Sequence, residues 1–126
     1  MKKQIIETSK APSPIGPYSQ AVMVNGMLFV SGQIPIDPAT GELVSGSIKD
    51  EAQQVMKNLK SILAEAGLDF SHVVKTTIFL MDMGSFAAVN EVYGSYFTKD
   101  FPARETVQVS GLPKGVNVEI SVIAVK

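Results

Sequence analysis

One arginine and one glutamate near the end of the chain have the chemistry of a small binding site. Arg104 closes the segment Phe101-Pro102-Ala103-Arg104 at the mouth of a short strand, and Glu119 interrupts the apolar run Val116-Asn117-Val118-Glu119-Ile120-Ser121-Val122. A guanidinium is a planar fork of donors that grips a carboxylate through two parallel charge-assisted hydrogen bonds, each contributing roughly 1.5–3 kcal/mol. With a carboxylate set among β-branched residues nearby, the pair is what a site handling a carboxylate substrate needs. The same two residues could instead pair with each other or with other surface charges, and their spacing does not distinguish these cases.

Other candidates are sparse. His72, the one histidine, follows Asp69-Phe70-Ser71 at a strand start without His or Cys partners, so it reads as a surface residue and no metal site is expected. Asp37 and Asp82 suit the start of a turn and of a helix. Ser31-Gly32-Gln33 follows a strand but runs into Pro35, where a phosphate-binding loop would enter a helix. Cysteine is absent, which excludes disulfides, thiolate–metal sites and a thiol nucleophile, and fits a reducing compartment. The net charge is −1 with Lys and Arg spread along the chain, giving none of the basic stripe that nucleic acid or anionic membranes exploit. Apolar runs are too short for a membrane span, and the polar start Met1-Lys2-Lys3-Gln4 has no signal-peptide core after it, so a cytoplasmic protein is expected.

The elements that must position Arg104 and Glu119 can be read in order. The 126 residues suit a single domain, 1–126. Gln4-Ile5-Ile6 starts a short edge strand, and the prolines of Lys10 to Pro17 impose a stiff irregular loop. Gln20 to Val24 and Met27 to Ser31 flank Asn25-Gly26, the signature of a two-residue hairpin turn. Gly32 to Gly46 is a loop. Ser47 caps a helix whose apolar residues, Ile48, Ala52, Val55, Met56, Leu59, Ile62, Leu63 and Ala66, recur at helical spacing until Gly67. His72 to Met81 reads as a strand, Ser85 to Phe97 as a second helix, and Pro102 forces an extended entry to a strand over Thr106 to Val109. Leu112-Pro113-Lys114-Gly115 turns into the last strand. The order is βββαβαββ, an α+β domain.

Two helices cover one face of such a sheet. The middle strand nevertheless carries Val74, Ile78 and Leu80 on one alternate and Val73, Phe79 and Met81 on the other. The last strand sets Val118, Ile120 and Val122 against Ile123 and Val125. An apolar sheet face left open in this way predicts a homo-oligomer packed sheet to sheet. Glu119, with Asn117 and Ser121, falls on the alternate assigned to that interface.

Several short motifs in order bring recognition. Gly16-Pro17-Tyr18-Ser19-Gln20-Ala21, Val30-Ser31-Gly32-Gln33-Ile34-Pro35, Asn58-Leu59, Val89-Asn90-Glu91-Val92-Tyr93, Pro102-Ala103-Arg104, and Leu112-Pro113 with Val118-Glu119-Ile120 resemble, end to end, the RidA family of enamine/imine deaminases in the YjgF-type superfamily. The resemblance implies a chorismate-mutase-like fold in a homotrimer, with three sheets forming a central barrel, helices outside, and a site in each cleft between subunits. It also implies hydrolysis of short-lived 2-imino acids, in equilibrium with enamines such as 2-aminoacrylate, to 2-keto acids and ammonia without a cofactor. By the same resemblance Arg104 holds the substrate carboxylate with help from the backbone of Ser31 and Gly32. Tyr18, Asn90 and Thr106 line the pocket, and Glu119 positions the attacking water. A reading of a different class is a ligand-sensing, regulatory or chaperone-like trimer that keeps the carboxylate pocket without turnover.

The chain departs from the family pattern in places. Thr106 stands where many members have cysteine, so thiol-dependent behaviour does not transfer. Glu105 replaces the small residue common after the arginine, and strand alternation points it away from Thr106. Glu51-Ala52 stands where Gln-Thr is frequent, a change that touches packing more than chemistry.

Overall fold

In the computed structural model, which describes residues 2–126, Asn25 and Gly26 take φ of 51° and 75°. Met1, the first residue of the expected domain span and of the polar start, lies outside the described residues. The positive φ values make the tight turn that joins strands β2 (Ala21–Val24) and β3 (Met27–Gln33). β1 (Gln4–Ile6), α1 (Ile48–Glu65), β4 (Val73–Leu80), α2 (Phe86–Gly94), β5 (Ala103–Gln108) and β6 (Val118–Val125) complete the expected βββαβαββ order. The strands form one six-stranded mixed sheet in the order β1-β2-β3-β6-β4-β5, in which β4 and β5 alone run parallel. Among the described residues, no helix is long and apolar enough to cross a membrane.

Ser47 caps α1 by accepting from the Asp50 N–H at 3.1 Å. The helix buries Ala52, Val55, Met56, Leu59, Ile62 and Leu63 against β3 and β6. Full burial of each of the larger aliphatic side chains stabilises the domain by roughly 1.5–3 kcal/mol. α2 packs beside α1, and its Tyr93 hydroxyl donates to Thr76 Oγ1 on β4 at 2.9 Å. Both helices thus cover one face. On the other face Val22, Phe29 and Ile123 stand in one cross-strand row and Phe79 and Val107 in another with Glu119, and Phe29 and Val107 are each 41% exposed.

Several local readings need correction. β5 begins at Ala103, directly after Pro102, because pairing with β4 starts at Lys75, so Arg104 lies inside a strand rather than at its mouth. α2 stops at Gly94 instead of Phe97, as the N–H groups of Ser95, Tyr96 and Phe97 reach back three residues in a tightened turn. A bulge between Val73 and Lys75 against β6 swings Val73 onto the helix-covered face with Ile78 and Leu80 and leaves Val74 exposed. A second irregularity carries β3 on to Gln33: three steps from Val30 to Gln33 oppose two on β6, from Val122 to Ile120.

Asn117 does not accompany Glu119 on the open face. Its N–H and its Nδ2 donate to the two carboxylate oxygens of Glu51 at 3.0 and 2.7 Å, which holds it to α1 and starts β6 one residue later. Glu51 is therefore more than a packing change. As read, Asp37 initiates a turn, accepting from the Ala39 N–H, and Asp82 starts a helical segment, capping the short 3-10 turn Met83–Ser85 ahead of α2 by accepting from the Gly84 N–H. His72 accepts from the Asp69 N–H at 3.1 Å and closes the turn before β4.

Candidate functional site

Glu119 pairs across the ladder with Phe79 of β4 and projects from the open face of the sheet. Beside it the β3 bulge brings in Gly32 so closely that a Cβ there would stand 2.8 Å from Glu119 Cδ and 2.9 Å from Oε2. Glycine at position 32 is thus a steric requirement for this placement of the carboxylate. Both residues line a cleft of about 490 Å³ with Tyr18, Ser31, Ile15 and Pro113. Burial among these groups pushes the Glu119 carboxyl above the ordinary glutamate range. A carboxylate so placed is a better proton acceptor near neutral pH than a solvated one.

The cleft is walled by two loops, each fastened by a buried amide. Gln20 holds the segment from Thr8 to Pro12, and Asn58 of α1 donates to the carbonyls of Ile34 and Ile36 at 3.2 and 3.0 Å. Ser31 ties the first loop to β3: its N–H donates to Gln20 O at 2.9 Å and its hydroxyl to Ser19 O at 2.6 Å. Both Ser31 donors are engaged within the chain, so Ser31 acts here as a tie rather than a free donor.

Arg104 lies elsewhere. It stands in register with Thr76 on the helix-covered side of β5, and its Nη1 donates to Asn90 Oδ1 on α2 at 2.6 Å. Its Cζ lies 5.5 Å from the centroid of the Phe86 ring and 5.2 Å from that of Tyr93. Two aromatic faces and an amide oxygen therefore fix a cation at the mouth of a second cleft, about 450 Å³, lined also by Gly94, Phe101 and Pro102. Glu105 points the other way, pairing with Lys75 at 3.1 Å, and does not compete for the guanidinium.

The predicted site residues thus separate into two groups within one chain. Tyr18, Ser31, Gly32 and Glu119 share one cleft, and Asn90 and Arg104 share the other. Thr106 belongs to neither lining; it sits beside Arg104 on the same alternate of β5, with a buried Oγ1 that has no hydrogen-bond partner. Sequence reasoning missed Gln20, Glu51, Phe86, Tyr93 and Asn58 as supports. Polar residues among apolar neighbours were the available signal for Gln20 and Asn58. Among the described residues, no three His, Asp or Glu side chains cluster as a metal site requires.

Comparison with known proteins adds the following. The family model described as Endoribonuclease L-PSP matches residues 8–126. Protein DfrA of Myxococcus xanthus is 61% identical over 127 residues, covering 99% of this chain and 97% of the relative. The human 2-iminobutanoate/2-iminopropanoate deaminase is 51% identical over 124 residues, covering 98% of this chain and 90% of the relative. Among solved structures, a protein of unknown function of the conserved Rid family, YyfA from Yersinia pestis, superposes with a TM-score of 0.97 at 52% identity, covering 99% of this chain and 100% of the other.

Proposed function

The chain belongs to the Endoribonuclease L-PSP family, the RidA/YjgF group, and on that premise we propose that it hydrolyses reactive 2-imino acids to 2-keto acids and ammonia. The observation that carries this reading is Glu119: among the described residues its carboxylate has neither a hydrogen-bond donor nor an ion-pair partner, though it stands in a partly apolar cleft. A base held in this way is available to water.

The chemistry asks little of the protein. The iminium carbon is already electrophilic, so Glu119 orients a water and takes its proton as the oxygen bonds to C2. The resulting carbinolamine breaks its C–N bond as Glu119 returns the proton to the departing nitrogen, and the hydroxyl proton then passes by way of the carboxylate to the freed ammonia, leaving a carbonyl and an ammonium ion. General-base assistance of this kind typically supplies ~10²–10⁴-fold. The balance of atoms is complete with imino acid and water, without a cofactor.

Arg104 is the carboxylate clamp, with Asn90 and the rings of Phe86 and Tyr93 holding its fork. Clamp and base line different clefts of one chain, so the proposal requires that they meet between copies. The exposed apolar face of the sheet, with Phe29 and Val107, is the surface available for that association. A homotrimer with one shared site per interface satisfies both needs.

Ribonuclease activity, which the family's descriptive name suggests, has less support here. The net charge is −1, and the single histidine has its Nδ1 engaged by the Asp69 N–H. The test is to generate 2-aminoacrylate with a pyridoxal-phosphate-dependent dehydratase and follow ammonia and keto-acid release. Wild type accelerates release, while Arg104→Ala and Glu119→Ala do not. Wild type behaving like buffer would overturn the enzyme reading in favour of a non-catalytic carboxylate-binding protein.

A further inference from the structure

Gln20 is 2% exposed, and its side-chain amide bonds at four points to backbone twelve to eight residues upstream. Its Oε1 accepts from the Thr8 N–H at 2.7 Å. Its Nε2 donates to the carbonyls of Thr8, Ala11 and Pro12 at 3.0, 3.2 and 2.9 Å. Among the described residues, no backbone–backbone hydrogen bond outside the strand ladders ties residues 8–15 to the rest of the chain. Apart from packing of the buried Ala11 and the partly buried Thr8, Pro12 and Pro14, the hydrogen bonds of this one amide are what fasten the segment. The same segment supplies Pro12, Ser13 and Ile15 to the wall of the Glu119 cleft and leads into Tyr18.

We propose that Gln20 is a positioning residue for this site: it holds the proline-rich loop as a fixed wall over Glu119 and so sets how tightly a small substrate is bound. The prolines stiffen the loop, but stiffness does not anchor it; an irregular segment without ladder partners needs a side chain to satisfy its backbone groups. An amide suits this task because it presents an acceptor to Thr8 N–H and donors to three carbonyls together. A carboxylate of the same shape would face those carbonyls with oxygens on both arms. This inference rests on the proposed deaminase reading for its kinetic part and on the loop geometry alone for its structural part.

The experiment compares wild type with Gln20→Glu in the full-length protein. The peptide bond after Lys10 lies in the fastened segment and is open to trypsin once the segment detaches. Cleavage there is expected to be about tenfold faster in Gln20→Glu, with KM for 2-aminoacrylate raised about tenfold and kcat kept within about twofold. Unchanged cleavage, or faster cleavage with an unchanged KM, would overturn the proposal. Should Gln20→Glu not fold, amide exchange in wild type decides: the Thr8 N–H is expected to be protected, and exchange at the rate of a free peptide would refute the anchor. If wild type does not hydrolyse imino acids, the deaminase reading fails, while cleavage and exchange still report on the loop.

Discussion

Arg104 and Glu119 occupy opposite faces of one sheet. Arg104 is in register with Thr76, whose hydroxyl is bonded to Tyr93 of the helix layer, while Glu119 is in register with Phe79 on the side without helices. Two strands of a rigid sheet cannot bring these side chains together by a rotamer change. The cooperation proposed for them therefore requires two chains.

Mixing two inactive variants tests this directly. When Arg104→Ala and Glu119→Ala chains are co-refolded in equal amounts, some interfaces receive an intact arginine from one copy and an intact glutamate from the next. In a randomly mixed ring with heterologous contacts, roughly a quarter of the interfaces are complete. Imine hydrolysis is expected to return to about that fraction of wild type. No recovery, despite mass-spectrometric proof of mixed oligomers, would place the whole site within one chain.

The carboxyl of Glu119 is raised above the ordinary value of 4.5 by burial, and the sign of the consequences follows. In the proposed mechanism activity requires the ionised form, so kcat/KM is expected to fall as pH drops through this raised value, at a higher pH than a solvated glutamate would impose. For folding, the native state binds this proton more tightly than the unfolded chain. The resulting stabilisation is present below the ordinary value and is lost as pH rises through the raised one. Glu119→Gln is thus expected to raise thermal stability relative to wild type at neutral pH and to lose that advantage at about pH 4. Unfolding curves across this range check it.

Gly32→Ala places a methyl group 2.8 Å from Glu119 Cδ, and the side chain must swing away. A displacement on the order of 1 Å in a catalytic group costs up to ~10²-fold, so kcat is expected to fall by roughly 10- to 100-fold. The fold should survive, because the clash is with the end of a flexible side chain rather than with backbone. Steady-state kinetics beside circular dichroism separates the two effects.

The proposed carboxylate clamp, Arg104, depends on a planar, stacked fork. Arg104→Lys keeps the charge but loses the bidentate geometry and the fit between the Phe86 and Tyr93 rings, and KM is expected to rise about 10- to 100-fold. Phe86→Leu removes one ring and should raise KM about two- to fivefold. An unchanged KM in Arg104→Lys would show that a point charge suffices.

Much of this architecture is legible in the residues. Asn25-Gly26 announces its turn by local backbone preference, α1 announces itself by the spacing of Val55, Leu59 and Ile62, and alternation along β6 puts Glu119 and Ser121 on the open face. The alternation was also enough to expect an exposed apolar surface. What could not be read were consequences of partners distant in sequence. Arg104 faces the helices because β5 pairs in parallel with β4, a register that no residue near Arg104 encodes. Val73 changes face through a bulge against β6, and Gly32 approaches Glu119 through another. Asn117 leaves the alternation since Glu51, sixty-six positions away, offers it a better set of acceptors.

That last contact leads to a prediction about Glu51. Its carboxylate is buried in the first turn of α1, where the helix dipole favours a negative charge, and both oxygens are occupied by Asn117. Asn117 O in turn accepts from the Met81 N–H at 3.2 Å, so one residue joins α1, the end of β4 and the start of β6 two positions before Glu119. Glu51→Ala leaves the Asn117 donors without these partners and is expected to cost about 1–3 kcal/mol of stability. Glu119 then loses a nearby fixed point, and kcat should fall while KM, assigned in the proposed mechanism to Arg104 on another strand, stays near wild type. Glu51→Gln retains one acceptor oxygen for the Asn117 N–H, and its amide can donate to Asn117 Oδ1 if that side chain turns over, so near-normal stability and kcat are expected. Thermal unfolding and steady-state kinetics on both variants distinguish a fixed point for β6 from simple packing: a Glu51→Ala chain with raised KM and unchanged kcat would contradict it.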